Sequence, residues 1–163
     1  MPVRPVLRVP HQSLKQVARP AGEADVARVA RDLIDTMSAY GHCVGIAAPQ
    51  IDELVRVIVV DVSAHPKAAS SNGLLVLVDP RIVEAEGSVL GREGCLSIPE
   101  LTANVRRAAR VVVEARTPAG DERVVEAGGF EARCLQHELD HLDGILFLDR
   151  VESLTHDVFQ RRR

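Results

Sequence analysis

The stretch from Cys134 to Arg150 reads C-L-Q-H-E-L-D-H-L-D-G-I-L-F-L-D-R and contains a His-Glu-x-x-His block. Because positions i and i+4 of an α-helix lie on the same face, His137 and His141 can offer their imidazoles to one cation. Glu138 lies about 100° round the helix, from where its carboxylate reaches a water molecule on the metal rather than the metal itself. These residue types are the components of metal-assisted hydrolysis, and the block predicts a helix that carries such a site.

A metal site of this kind needs a third protein ligand, without which the two histidines would simply be solvated on a surface helix. Zinc peptidases with a longer motif continue with a glycine and a third histidine. Here Gly144 matches that glycine, but Phe147 stands in the place of the histidine. Cys134 lies about 10.5 Å along the axis from His141, too far for metal bonds of about 2.0 to 2.3 Å, so we expect it to be a small buried apolar residue.

The third ligand must therefore come from another part of the chain. The candidates are Cys43, Cys95, Glu152 and His156. Cys95 has the most favourable neighbours, because Gly94 frees the backbone and the next residue can aim its amide at whatever binds the metal. Spacing alone leaves the choice open.

Length and composition predict one domain over residues 1–163, with a core of Val, Leu, Ile and Ala, since only 2% of the residues are aromatic. The formal charge of −3 gives no reason to expect direct nucleic-acid binding. We interpret the basic run Arg161 to Arg163 as a solvated end. No signal peptide or membrane segment is expected, and three cysteines favour a reducing cytoplasm.

Periodicity predicts both helices and strands along the chain. Four prolines in the first 21 residues favour an extended arm, and residues 42–50 have small side chains typical either of a strand edge that accepts an extended ligand or of a tight turn. The predicted helices are Glu23 to about Tyr40, Phe130 to about Leu142, and one in the last dozen residues. The predicted strands are Val55–Asp61, Leu74–Val78 ending at Asp79-Pro80, Ile82–Glu86, and a hairpin of Arg110–Arg116 with Glu122–Ala127. Together they indicate an α+β fold.

Three motifs occur in order: G-I-A-A-P-Q at residues 45–50, E-G-C-L-S at residues 93–97 and Q-H-E-L-D-H-L-D-G at residues 136–144. They resemble the three signature motifs of bacterial peptide deformylases, and the resemblance runs from the proline-rich arm to L-F-L-D-R. It implies that family's α+β fold, a single domain in which antiparallel sheets pack around a central metal-binding helix.

The resemblance also implies the roles of individual residues. Glu138 would be the general base, and the side chain of Gln50 with the backbone N–H of Leu96 would stabilise an oxyanion. The implied metal ligands, with water in the fourth position, are Cys95, His137 and His141. The implied substrate-binding residues are Val44, Gly45, Ile46, Glu93 and Gly94.

The activity implied by the resemblance is removal of the N-formyl group from the N-terminal formyl-methionine of nascent polypeptides, which releases formate. The cofactor implied is one divalent metal ion, Fe²⁺ in the cell, with Zn²⁺, Ni²⁺ or Co²⁺ as replacements. The implied partners are N-formylmethionyl peptides and the ribosome, with no membrane.

Four positions bear on how the family pattern applies to this chain. Cys43 stands where the family usually has glycine, Arg92 where relatives commonly have an acidic residue, and Asp79 where they usually have asparagine. Arg107 matches an arginine that relatives often place near the substrate, although a solvated strand residue is the alternative.

Other functions use the same residues. Another metal-dependent amide hydrolase or peptidase would need a longer cleft and a third ligand from Glu152 or His156. The remaining alternatives are a deformylase-like protein with weak activity and a family member that is not an enzyme. In the latter the metal would be structural and Cys43 would block the substrate. A Cys-His nucleophilic mechanism loses support if Cys95 is a ligand, because a ligand is not a free nucleophile.

Overall fold

The computed structural model describes residues 3–22 and 24–161, over which two antiparallel sheets surround one of two α-helices. The helices are α1 (Val26–Ser38) and α2 (Gly129–Leu142). The strands are β1 (Gly45–Ala47), β2 (Val57–Val60), β3 (Leu75–Glu86), β4 (Val89–Cys95), β5 (Ile98–Arg107), β6 (Arg110–Arg116), β7 (Glu122–Gly128) and β8 (Val158–Gln160). Short 3₁₀ segments cover Gln12–Lys15, Ala48–Ile51 and Phe147–Arg150.

The larger sheet has the strand order β1-β2-β3-β6-β7, and the smaller one has the order β4-β5-β8. Helix α2 packs against β1, β2, β6 and β7 of the larger sheet. Because β1 and β4 each end their sheet, both leave a strand edge without a paired strand. The predicted α+β architecture, with antiparallel sheets around the metal helix, is confirmed.

Alternation of buried and more exposed residues explains how β6 attaches to the helix. Val111, Val113 and Ala115 point into the core, whereas the intervening residues are only partly buried. The inward side chains pack with Leu135 and Leu139 of α2. Burial of this apolar surface holds the helix in place, since each fully buried valine or leucine side chain contributes about 1.5 to 3 kcal/mol.

The helix predicted from residue 23 begins at Val26, where the Asp25 side chain accepts a hydrogen bond from the backbone N–H of Arg28. Glu23 itself lies outside the described residues. Helix α2 begins at Gly129, one residue before the predicted start. The longest described helix has 14 residues, and none is long and apolar enough to span a membrane.

The prediction that Asp79-Pro80 ends a strand is wrong, because β3 continues through these residues. The register with β6 shifts between Val78 and Arg81, which is a β-bulge. Asp79 has a φ of 50°, and its carboxylate accepts a hydrogen bond from the backbone N–H of Ala21 at 2.8 Å. A proline lacks the N–H that a regular ladder would use, and a bulge removes that requirement.

The predicted C-terminal helix is also wrong within the described residues. Val158–Gln160 form β8, which pairs antiparallel with Leu101–Ala103 of β5. β-branched and aromatic side chains such as Val158 and Phe159 favour strands, and this pairing covers an edge of β5 that would otherwise be open. The strand also brings Arg161 to the cavity described below, so this member of the basic end is half-buried rather than solvated.

Candidate metal and catalytic site

Three donor side chains converge where α2 faces the end of β4. His137 and His141 come from α2, and Cys95 is the last residue of β4. All three are buried, and their ligand atoms lie within 4.8 Å of one another. The Cys95 Sγ atom is 3.4 Å from Nε2 of His141. Of the four candidates that spacing left open, the structure brings Cys95 to the two histidines.

The pairing of β4 with β5 becomes irregular where β4 reaches the helix. Gly94 pairs with Thr102, but Cys95 pairs with Ile98, so the register of β4 and β5 shifts between these two residues. The extra residues lie on β5, which is the strand that departs from the regular ladder. Cys95 ends β4 beside this irregularity, and its thiol lies opposite the two imidazoles.

The donor set fits a tetrahedral transition metal. Bonds of about 2.0 to 2.3 Å at tetrahedral angles place neighbouring donor atoms roughly 3.3 to 3.7 Å apart. The 3.4 Å between Cys95 Sγ and His141 Nε2 falls in that range. Two imidazoles and one thiolate leave a fourth position for a reacting molecule, as in catalytic rather than structural sites.

The other three candidates for the third ligand do not reach this cluster in the described part of the chain. Glu152 is exposed and binds Arg106 at 2.7 Å, and His156 is exposed as well. Cys43 lines the same cavity, but its thiol donates to the carbonyl oxygen of Gly45 at 3.2 Å. The peptidase alternative, which needed Glu152 or His156 as a ligand, loses its basis.

Two imidazoles change the acidity of the Cys95 thiol. Burial alone would raise the pKa of this thiol, but the charge on His141 and a hydrogen bond to His137 bring the pKa well below its ordinary value. Cys43 shows the opposite behaviour, because burial and the nearby Glu138 carboxylate raise its pKa to about 12. The site therefore holds one thiolate that can bind a metal beside one neutral thiol.

Glu93 fixes the orientation of the His137 ring. One Glu93 carboxylate oxygen contacts Nδ1 of His137 at 2.8 Å, which leaves Nε2 directed at the metal position. The carboxylate also accepts hydrogen bonds from Arg107 at 2.9 Å and from Arg133 at 2.7 Å. Burial would raise the pKa of Glu93, but the hydrogen bonds from Arg107 and His137 hold it well below its ordinary range.

These contacts alter two interpretations of the sequence. The resemblance implies a role in substrate binding for Glu93, but its carboxylate oxygens contact His137 and two arginines. Glu93 therefore supports the His137 ring. Arg107 is neither solvated nor bound at the substrate edge, since only 3% of its side chain is exposed. Its guanidinium joins Glu93 to Asp140, which also binds Arg150. A buried chain of alternating charges supports the site.

Replacing Glu93 with glutamine is expected to weaken metal binding about 10- to 100-fold, the range typical of partners that hold a ligating histidine. The amide keeps the shape of the side chain but leaves two buried arginines without their anionic partner. Metal affinity is measured by competition with a chromophoric chelator. Glu152→Gln, which removes an exposed carboxylate, is the control, and equal affinities in the two variants would contradict the role of Glu93.

Glu138 points into the site from the same helix. Its side chain is buried, and Oε1 has no hydrogen-bond partner among the described residues. A Cβ atom on Gly45 would lie 2.7 Å from Oε2, so a larger residue there would displace this carboxylate. Burial raises the pKa of Glu138, although both histidines act to lower it. A carboxylate of raised pKa with one unpartnered oxygen is suited to accept a proton.

Gln50 lies between β1 and the metal cluster. Its Oε1 atom accepts a hydrogen bond from the backbone N–H of Ala47 at 3.0 Å, which directs the NH₂ group towards Ser97 Oγ at 3.1 Å and Cys95 Sγ at 3.5 Å. Leu96 follows Cys95 and lines the cavity. Gln50 and Leu96, the two residues predicted to stabilise an oxyanion, therefore both line the cavity together with Cys95.

A cavity of about 270 Å³ opens between the edges of β1 and β4. Val44, Gly45 and Gly94 line it, as expected for a substrate edge. The side chain of Ile46 is fully buried against α1, so that residue can offer only its backbone. Cys134, predicted to be a buried apolar residue, is buried at the wall of the cavity.

Several residues that shape the site had no signal in the sequence. Arg133 packs over Gly91 and bonds the backbone carbonyls of Val89 and Val105. His65 stacks on Phe130 at the cavity wall, with 4.4 Å between ring centroids. These contacts join residues far apart in the chain, and no local pattern marks them.

The chain is similar to proteins of one family over nearly its whole length. A family model described as polypeptide deformylase matches residues 3–157. A peptide deformylase of Thermodesulfovibrio yellowstonii is 39% identical over 99% of this chain and 97% of the relative. That of Desulfitobacterium hafniense is 41% identical over 94% and 97% of the two chains.

Solved structures have the same architecture. A class I type b peptide deformylase of Acinetobacter baumannii with Met-Ala-Ser bound has a TM-score of 0.84 and 36% identity, over 91% of this chain and 98% of the other. The peptide deformylase of Thermotoga maritima has a TM-score of 0.83 and 30% identity, over 93% and 99% of the two chains.

Proposed function

The chain belongs to the peptide deformylase family, and on that premise we propose that Cys95, His137 and His141 hold the metal ion of a deformylase. The protein is a metal-dependent hydrolase that removes the N-formyl group of formylated peptides and releases formate. The observation that carries the assignment of ligands is the convergence of one sulfur and two nitrogens within 4.8 Å, in a buried cluster that Glu138 faces.

When bound, a divalent metal ion polarises the formyl carbonyl and lowers the pKa of a water molecule, which supplies a nucleophile at neutral pH. Glu138 accepts the proton of the attacking water through its unpartnered Oε1 and passes it to the leaving amine. Its position against Gly45 keeps the carboxylate at the substrate edge during both transfers.

Charge that develops on the formyl oxygen is stabilised by the side-chain NH₂ of Gln50 and the backbone N–H of Leu96. The hydrogen bond from Ala47 to Gln50 Oε1 orients that amide before the substrate arrives. The peptide backbone extends along the open edge of β1, with Val44, Gly45 and the backbone of Ile46 on one side and Gly94 on the other.

A thiolate ligand supplies a soft donor and a negative charge, which favours a transition metal over magnesium or calcium. We assign Fe²⁺ as the metal in the cell, with Zn²⁺, Ni²⁺ or Co²⁺ as replacements.

The substrates are N-formylmethionyl chains as they leave the ribosome, and the Met-Ala-Ser peptide bound to the Acinetobacter baumannii relative supports peptides as ligands. Residues 1–163 form one catalytic domain that acts in the cytoplasm.

The test of this function is formate release from formyl-Met-Ala-Ser by protein purified anaerobically and loaded with Fe²⁺ or Ni²⁺. We expect turnover with either ion and loss of turnover after chelation. Metal analysis of the protein before loading identifies the ion acquired in the cell. Formate at background levels from the fully loaded protein would reject the proposal and favour a deformylase-like protein with weak activity.

A further inference from the structure

An open groove continues the catalytic cavity away from the metal position. Val158, Phe159 and Gln160 of β8 line this groove. Arg92, Thr102 and Arg161 line both the groove and the cavity, so they form the passage between the two. If the formyl group lies at the metal position, as proposed above, the residues that follow formylmethionine pass these side chains. The inference below rests on that proposed function.

The passage is positively charged although the chain as a whole has a formal charge of −3. Lys67, Arg92 and Arg161 line the cavity, and no carboxylate of the described residues lies within 4.0 Å of their charged atoms. The two carboxylates that line the cavity, Glu93 and Glu138, are buried and belong to the metal site. The mouth of the cavity therefore has cationic charge without a counterion in the described part of the chain.

Neutral partners hold Arg92 in place. Its guanidinium lies 3.8 Å from the centroid of the Phe159 ring, where a cation is attracted to the aromatic face. Nε donates to Oδ1 of Asn104 at 3.1 Å, and Nη1 is 3.4 Å from Oγ1 of Thr102. The side chain is thus ordered while its charge stays available to a ligand.

Arg161 reaches the passage from the end of β8. Its backbone N–H donates to the carbonyl oxygen of Glu100 at 2.8 Å, and its guanidinium lies directly over Gly94, where a Cβ atom would overlap it. Its Nε atom is buried and has no hydrogen-bond acceptor among the described residues. A buried donor without an acceptor is costly, and an acceptor supplied by a ligand would relieve that cost.

We propose that Arg92 and Arg161 give this deformylase a preference for formylated peptides with acidic side chains at the third and fourth positions. A carboxylate in the passage gains two unneutralised guanidinium groups, whereas a lysine there meets like charges. Arg161 also gains an acceptor for its buried Nε. Glu93 and Glu138, the carboxylates deeper in the cavity, are buried at the metal site rather than in this passage.

The test compares kcat/KM for formyl-Met-Ala-Xaa-Xaa-amide, where Xaa is Glu, Gln or Lys, with the metal-loaded full chain. The C-terminal amide removes a terminal carboxylate, so the side chains are the only anionic source. We expect the Glu peptide to exceed the Lys peptide about tenfold at low salt, and the ratio to fall towards one at 1 M salt, where the Debye length is about 3 Å.

Substitutions test whether Arg92 and Arg161 cause the preference for acidic peptides. Arg92→Gln and Arg161→Gln should each reduce the Glu-to-Lys ratio several-fold, whereas Arg161→Lys should keep most of it. Arg31→Gln removes the same charge from an exposed position on α1 and should leave the ratio unchanged. Thermal unfolding of each variant checks that β8 stays in place, because Arg92 stacks on Phe159 of that strand and Arg161 follows it.

Equal kcat/KM for the three peptides would overturn the inference and leave the deformylase function intact. A ratio that survives in both Gln variants would overturn its assignment to these arginines. Inhibition by a single-stranded RNA oligonucleotide without discrimination among the peptides would instead indicate a nucleic-acid surface, and would overturn the preference as well. Failure to deformylate any of the peptides would count against the proposed function rather than against this selectivity.

Discussion

Glu138→Gln is expected to lower kcat for formate release about 10²- to 10⁴-fold, the usual contribution of a positioned general base, while the protein keeps its metal. The amide fills the space against Gly45 as the carboxylate does, but it cannot accept the proton. Because Glu138 is not among the convergent donors, the ligand set stays complete. Steady-state formate release and metal content, measured on the same sample, separate the two effects.

Asp143→Asn provides the matched control. Asp143 follows Glu138 by five positions, caps the end of α2 and binds Arg56 at 2.9 Å with a side chain that is 50% exposed. Loss of an exposed ion pair costs about 0 to 1 kcal/mol of stability and should leave turnover close to that of the unchanged protein. A Glu138→Gln variant that keeps its turnover, or that loses its metal, would contradict the assignment of Glu138 as base.

The parts of the fold with clear periodicity could be predicted from the sequence. Helix α1 has apolar residues at helical spacing, and the hairpin of β6 and β7 alternates buried with more exposed residues. In both cases local order and tertiary burial favour the same structure, so a short window of residues is sufficient. The metal helix could be predicted for the same reason, within one residue of its observed start.

The hairpin of β4 and β5 could not be predicted in this way. Strand β4 reads V-L-G-R-E-G-C, with two glycines that weaken any strand signal, and β5 contains Pro99. Strand β8 has only 3 residues and exists because β5 offers it an edge. Such elements depend on a partner distant in the sequence, so local propensity does not reveal them.

The candidate site also has a part that could be predicted from the sequence and a part that could not. The type and spacing of His137, Glu138 and His141 predicted their convergence on one face of a helix. The buried support of Glu93 by Arg107 and Arg133 had no such signal, because these contacts span 14 and 40 residues of sequence. For the same reason Glu93 was assigned to substrate binding from the resemblance, although its carboxylate faces His137.

Cys95→Ser is expected to lower metal affinity by at least about 100-fold. This exceeds the effect of losing a residue that only supports a ligand. A serine hydroxyl stays protonated where the thiolate is stabilised by two imidazoles, and its oxygen is a harder donor with a shorter reach. Turnover should fall with the metal content and return in part at saturating metal. Competition with a chelator and metal analysis measure the change.

Two control variants test whether Cys95 is the third ligand. Cys43→Ser makes the same chemical change at another thiol of the cavity and should keep the metal, since a hydroxyl can still donate to the carbonyl of Gly45. His156→Ala removes an exposed imidazole and should also keep it. If either control released the metal while Cys95→Ser retained it, the ligand set would be different. Because Cys95 is the residue of these three whose donor atom lies beside those of His137 and His141, we expect only the Cys95 variant to lose the ion.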